Sequence, residues 1–216
     1  MNLKKSFIGA CLATLAAFSG VSLVQAADDP AWYAGIGIGR SDVKRGSSWS
    51  QVTDAALLRS GFTSNTLIDS HDTAWKLYGG YQFNENFAVE AGYHDLGRFR
   101  GTAVVSAPVA STPGGNWVAY AGSLSAVGTY PVFNRFSIIG KAGLAVTRLK
   151  VDLPLPASFT PSATRVQPLL GLGVKFDFNK QFGLRGEFER FNNVGDGNRT
   201  GQTPINVWSV SAQYRF

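Results

Sequence analysis

Apolar and polar residues alternate with period two along most of the chain, in segments about ten residues long, which is the pattern of half-buried β-strands. Trp32 to Gly39 sets Trp32, Ala34, Ile36 and Ile38 against Tyr33, Gly35, Gly37 and Gly39. Ala74 to Phe83 sets Trp75, Leu77, Tyr81 and Phe83 against Lys76, Tyr78 and Gln82. Phe87 to His94 sets Phe87, Val89, Ala91 and Tyr93 against Glu90, Gly92 and His94. The alternation returns in Trp117 to Tyr130, Phe136 to Lys150, Arg165 to Phe178, Phe182 to Phe191 and Asn206 to Phe216, so the pattern predicts eight strands. After Ala27 no continuous apolar run reaches the length of a spanning helix.

The predicted connections alternate in length. Asn84 to Asn86, Pro131 to Arg135 and Asn179 to Gln181 are tight. Arg40 to Thr73, Gly97 to Asn116, Val151 to Thr164 and Asn192 to Ile205 are long. Short turns at one end and long loops at the other mark a membrane barrel, whose short turns face the periplasm. The first long connection leaves room for a further hairpin, which would raise the count to ten strands. Within it, Trp49, Val52, Ala55, Ala56, Leu57 and Leu58 have helical spacing, with Ser50 as cap, predicting a short helix over Ser48 to Ser60. Such a helix either lies on lipid head groups or packs over the barrel mouth.

Charge placement decides which face is which. Lys76, Glu90, Lys141, Lys175, Asp177, Arg185, Glu187 and Glu189 all fall opposite the large apolar residues. A soluble carrier barrel needs apolar residues inside and charges outside. Here the parity is the reverse, as lipid outside and a polar interior require. Arg190 breaks the parity and is expected near a strand end, where its head reaches the interface. Trp32, Phe83, Phe87, Trp117, Tyr130, Phe136, Phe178, Phe182, Trp208 and Phe216 gather toward strand ends, where aromatic girdles sit at head-group depth.

Composition agrees. Only 16% of the 216 residues are charged, against about 25% in soluble domains, and 25 are glycine. Lys4 and Lys5, an apolar stretch from Phe7 to Val24, and the small-x-small site Val24-Gln25-Ala26 form the three parts of a secretory signal. The expected architecture is therefore all-β: a closed antiparallel eight-stranded transmembrane β-barrel over residues 27–216, preceded by a cleavable signal peptide over 1–26. Cys11, the single cysteine, leaves with the signal, so no thiol chemistry is expected. The formal charge of +6 falls to +4 without Lys4 and Lys5, and the cations form no run, so nucleic acid is not an expected partner.

Sites of chemistry are scarce. Gly35-Ile36-Gly37-Ile38-Gly39 lacks the spacing of a nucleotide loop, and small residues inside a narrow barrel explain it. His71 and His94 are the only histidines, too few for a metal site; His94 is placed at a strand end and His71 just before a strand. His94 with Glu90 and Ser123 or Ser125 is the nearest approach to a Ser/His/acid set for lipid A deacylation, but no His-x-Ser motif accompanies it. No catalytic, cofactor or metal residues are assigned.

Asp72-Thr73-Ala74-Trp75-Lys76-Leu77-Tyr78-Gly79-Gly80-Tyr81, followed by Asn84, Phe87, Val89, Glu90, Tyr93, Asp95, Leu96 and Gly97, resembles the second and third strands of OmpA-like outer-membrane barrels. Leu184 to Phe191 resembles their seventh strand, and Tyr214-Arg215-Phe216 their aromatic-ended assembly signal. The resemblance covers essentially the whole chain after the signal, without the peptidoglycan-binding domain of full-length OmpA. It implies residence in the outer membrane and reading of Tyr214 and Phe216 by the barrel-assembly machinery. It also implies an interior charge network, here expected from Lys76, Glu90, Lys141, Lys175, Arg185 and Glu187. The expected role is structural or surface-directed and non-catalytic, with outer-membrane lipids, lipopolysaccharide and host-surface ligands as partners. The alternatives are a narrow pore for small solutes and, further off, a lipid A-modifying enzyme.

Overall fold

The computed structural model describes residues 30–43, 48–107, 112, 114–152, 162–197 and 200–216; the expected signal peptide lies outside them. The elements are β1 (Ala31–Val43), α1 (Ser48–Arg59), β2 (Thr63–Ile68), β3 (His71–Gln82), β4 (Phe87–Ala107), β5 (Gly114–Phe133), β6 (Phe136–Asp152), β7 (Ser162–Asp177), β8 (Phe182–Val194) and β9 (Thr203–Arg215). β1 pairs with β3 on one side and β9 on the other, and β3 through β9 pair in sequence, all antiparallel. Eight strands therefore close on themselves, and no edge in the ring is left for lipid to desolvate. β2 is not a ninth stave. It pairs with β4 from Gly101 to Ala107, beyond the point where β3 has turned to β1. The long first connection thus holds a helix and one strand extension, and the ring keeps eight members.

Two of the three inner-end turns repeat one device. Asn84 Oδ1 accepts from the amides of Asn86 and Phe87, both at 2.9 Å, and Asn179 Oδ1 accepts from Gln181 at 2.9 Å and Phe182 at 2.7 Å. These side chains replace the partners the chain lacks while reversing.

At the other end the strands run further than the alternation predicts. The segment from Gly97 to Asn116, expected as a loop, is largely strand, because β4 continues to Ala107 and β5 begins at Gly114. A bulge between Asp95 and Arg98 hides this. Gly97 sits there at φ +95°, its amide held 3.0 Å from Asp95 Oδ1. The extra residue reverses the parity, so Leu96 and Phe99 both point inward.

The outward face is apolar: Ile36, Leu77, Leu124, Leu172 and Trp208 are each more than half exposed, while Lys76, Glu90, Lys141, Arg185, Glu187 and Glu189 are at most 6% exposed. Glycine makes room on the inward side. A Cβ on Gly35 would lie 2.3 Å from the Tyr78 ring, and one on Gly39 would lie 2.0 Å from the Trp208 carbonyl oxygen.

The outer third of the interior is apolar, packed by Trp49, Leu96, Phe99, Trp117, Leu149 and Phe191 among others. Trp117 is fully buried here rather than in the girdle, since it shares the inward parity of Ala119 and Ala121. The helix packs over the mouth. Trp49 is buried and its indole Nε1 donates to the Val194 carbonyl at 3.1 Å. Ser48, not Ser50, begins the helix; its hydroxyl bonds the Gln202 carbonyl and accepts from the Gln202 amide at 2.7 Å, while Ser50 is buried inside the first turn.

Candidate functional site: the interior charge cluster

Below the apolar plug, three cations and three carboxylates meet across the barrel. β8 supplies Arg185, Glu187 and Glu189, whose period-two spacing turns all three inward. β3 brings Lys76, β4 Glu90 and β6 Lys141. Lys76 Nζ donates to Glu187 Oε2 at 2.5 Å and Glu189 Oε2 at 2.8 Å. Lys141 Nζ lies 2.7 Å from Glu90, 2.9 Å from Glu189 and 3.2 Å from Glu187. Arg185 splits its fork, with Nη1 donating to Glu90 Oε2 at 2.7 Å and Nη2 to Glu187 Oε1 at 2.8 Å. The formal charges cancel, as a site cut off from water demands.

Aromatic and polar side chains complete the layer. The Tyr33 hydroxyl donates to Glu90 Oε2 at 3.0 Å, and Gln213 Oε1 accepts from Arg185 at 3.3 Å. The Arg185 guanidinium carbon sits 4.8 Å from the Tyr78 ring centre, with Lys76 Nζ at 5.5 Å and Lys141 Nζ at 6.0 Å, so one ring faces all three cations. A Cβ on Gly173 would come 2.9 Å from Glu187 Cγ, so this glycine lets the cluster fill the lumen.

Five of the six residues expected in the network thus converge. Lys175 does not: it pairs with Asp177 at 3.0 Å nearer the inner end. Its register partner on β8 is Arg185, a like charge, which turns the lysine away from the cluster. The sixth member is Glu189, fully buried, and its signal in the sequence was its parity with Arg185 and Glu187. Lys175 and Asp177 instead line an open polar cavity of about 390 Å³ at the inner end, with Glu85, Arg135 and Lys180.

His94 departs from its expected position. It is not at a strand end but well inside β4, 3% exposed, with its ring 5.1 Å from that of Phe191. Its Nε2 lies 2.9 Å from Ser123 Oγ. This pair faces the lumen beneath the apolar plug, away from the surface where a lipid acyl chain would lie. Among the described residues no three His, Cys, Asp or Glu side chains converge as a metal site.

Tyr214 and Phe216 lie at the inner end of the β1–β9 seam. The Tyr214 ring is 4.9 Å from that of Phe182 and 5.1 Å from that of Phe216, and the Phe216 amide donates to the Trp32 carbonyl at 2.9 Å. With Tyr81, Phe83, Phe136, Phe176 and Phe178 they form an aromatic girdle around this rim.

The chain matches the OmpA-like transmembrane domain family over residues 26–216. It is 30% identical to outer membrane protein A of Shigella flexneri over 219 residues, which is 99% of this chain and 56% of that protein. The chain thus spans little more than half the length of such relatives. Among solved structures it is similar to neisserial surface protein A, with a TM-score of 0.57 and 14% identity over 88% of this chain and all of that one. It is also similar to Ail, the attachment invasion locus protein of Yersinia pestis, solved with the heparin analogue sucrose octasulfate. There the TM-score is 0.53 and the identity 16%, over 88% of this chain and all of that one. At such identities the likeness speaks for the fold alone.

Proposed function

The chain belongs to the OmpA-like transmembrane domain family and is an outer-membrane β-barrel of the bacterial envelope. From that premise we propose that it is a sealed, non-catalytic barrel with a structural and surface-directed role. One observation carries this reading: the lumen is filled at mid-height by the neutral cluster of Lys76, Glu90, Lys141, Arg185, Glu187 and Glu189, and above it by the apolar plug under α1. An eight-stranded barrel is narrow enough for side chains to fill. Moving these charges aside to pass an ion would break several buried pairs at once.

The outer end, with the β4–β5 extension, β2 and α1, is the face offered to the surroundings. Its partners are lipopolysaccharide in the outer leaflet and host-surface ligands. At the other end, Tyr214 and Phe216 terminate the last strand, where the barrel-assembly machinery would read them. His94 and Ser123 act as lumen packing and not as a lipase pair, because they face away from the bilayer.

Planar-bilayer recording on the refolded full chain tests the sealed barrel. The expected trace shows no stable conducting steps. Large, reproducible steps would overturn the reading in favour of a small-solute pore.

A further inference from the structure

The three inner turns and the β1–β9 seam enclose the open cavity of about 390 Å³ at the inner end of the barrel. Each turn sets one charged side chain on its wall: Glu85 between β3 and β4, Arg135 between β5 and β6, and Lys180 between β7 and β8. Arg215 of β9 stands on the fourth side. None of Glu85, Arg135 and Lys180 forms an ion pair among the described residues. Lys175 and Asp177, also on the wall, neutralise each other at 3.0 Å. Among the described residues these six are all the charged groups of the lining, four cations and two carboxylates.

Gln213 forms the floor. It is 6% exposed, and its Oε1 accepts from Arg185 Nη1 at 3.3 Å, which ties the cavity to the charge cluster above it. The Nε2 end of the same amide has no hydrogen-bond partner among the described residues, so a donor waits at the bottom. Gly183 keeps the space open, since a Cβ there would lie 2.7 Å from Asp177 Oδ1. The mixture of signs decides the class of ligand. A polyanion would meet Glu85 and Asp177, and an apolar molecule would strand the unpaired charges without water. A zwitterion answers both signs, with carboxylates for Arg135 and Lys180 and an ammonium for Glu85. The volume lies at the small end of the range of about 300–1,000 Å³ usual for ligand pockets, which suits an amino acid or a dipeptide and not a longer chain.

We propose that the inner cavity binds a small periplasmic zwitterion of the amino-acid or dipeptide class that carries one acidic side chain. Arg135 and Lys180 hold its two carboxylates, and Glu85 holds its ammonium. Arg135 suits a carboxylate because the guanidinium fork donates two bonds at once. Gln213 Nε2 donates to a ligand carbonyl at the floor. The site rests on the reading of this end as the periplasmic one. It needs no passage through the barrel, so it stands apart from the sealed-barrel reading.

The test is isothermal titration calorimetry on the full chain refolded in a neutral detergent. The probes are the dipeptide Ala-Glu, its N-acetylated form, its form with both carboxylates amidated, and inorganic phosphate. Wild-type protein is expected to take up one equivalent of Ala-Glu. Amidating the carboxylates, or the R135Q/K180Q variant, is expected to weaken binding by roughly tenfold or more, since each removes charge-assisted hydrogen bonds. E85Q is expected to weaken Ala-Glu by a similar factor yet leave the N-acetylated form no weaker than in wild type, because that probe has no ammonium to lose. An R148Q variant, at the opposite end, is the control and keeps full binding. Heat-modifiable gel migration shows that each variant still closes. Absence of saturable heat with wild type would overturn the proposal. So would phosphate binding as tightly as Ala-Glu, which would reduce the cavity to general anion attraction, or unchanged binding in R135Q/K180Q. Binding seen only in a D28N/D29N variant would overturn it too, by making the chain's own acidic pair ahead of β1 the occupant. A barrel that conducts in planar bilayers yet binds the dipeptide would instead overturn only the sealed-barrel reading.

Discussion

Removing Lys141 is the sharpest perturbation of the lumen. Its ammonium contacts three carboxylates, at 2.7 Å, 2.9 Å and 3.2 Å. With an effective dielectric near 20, one unit pair at about 3 Å is worth on the order of 5 kcal/mol. Desolvation of the lysine and its repulsion by Arg185 and Lys76 offset much of the sum. What survives is the cost of leaving an uncompensated buried negative charge, which for a broken buried pair is about 3–5 kcal/mol. Lys141→Met keeps the aliphatic stem and removes only the charge. Urea unfolding in detergent, followed by the gel shift between folded and unfolded bands, is expected to show a loss of about 3–5 kcal/mol. Lys141→Met with Glu189→Gln restores neutrality and should lose less than the two single variants added together, because both act on one network. Strict additivity, or a Lys141→Met barrel within about 1 kcal/mol of wild type, would refute the claim that these charges stabilise one another.

Two further outcomes follow from the same inside-out arrangement. Leu172→Lys places a charge on the lipid face of β7, where Leu172 is 67% exposed, and should destabilise the barrel by about 2–4 kcal/mol in the same assay. Trp49→Ala removes the fully buried anchor of α1. It should leave heat-modifiability intact while limited proteolysis within Ser48–Arg59 speeds up by roughly tenfold or more, because only the docked helix loosens.

Much of this was legible in the chain itself. The staves were readable because period-two alternation is strict wherever one face meets lipid: Leu170, Leu172 and Val174 against Gln167 and Lys175 admit one orientation. The cluster was readable for the same reason. Glu189 carries the parity of Arg185 and Glu187, but parity says which face a side chain takes, not how far along the lumen it reaches. Lys175 therefore looked equivalent to Lys141, though register sets it beside Arg185. Beyond Gly97 the alternation failed because a bulge shifts the phase by one residue, and the outer half of β4 and the first residues of β5 read as loop. The apolar plug was hidden: Trp117 looks like a girdle aromatic until the interior proves to have two storeys.

The charge cluster also bears on time. Lys76 on β3 and its carboxylates on β8 are parted by β1 and β9 one way around the ring and by β4 to β7 the other. No hairpin of neighbouring strands can bring them together. A half-built sheet therefore carries loose lysines and glutamates toward the membrane, and their energy is recovered only when β1 meets β9. Insertion is pushed toward a single cooperative event, in which a partly closed barrel has little reason to persist.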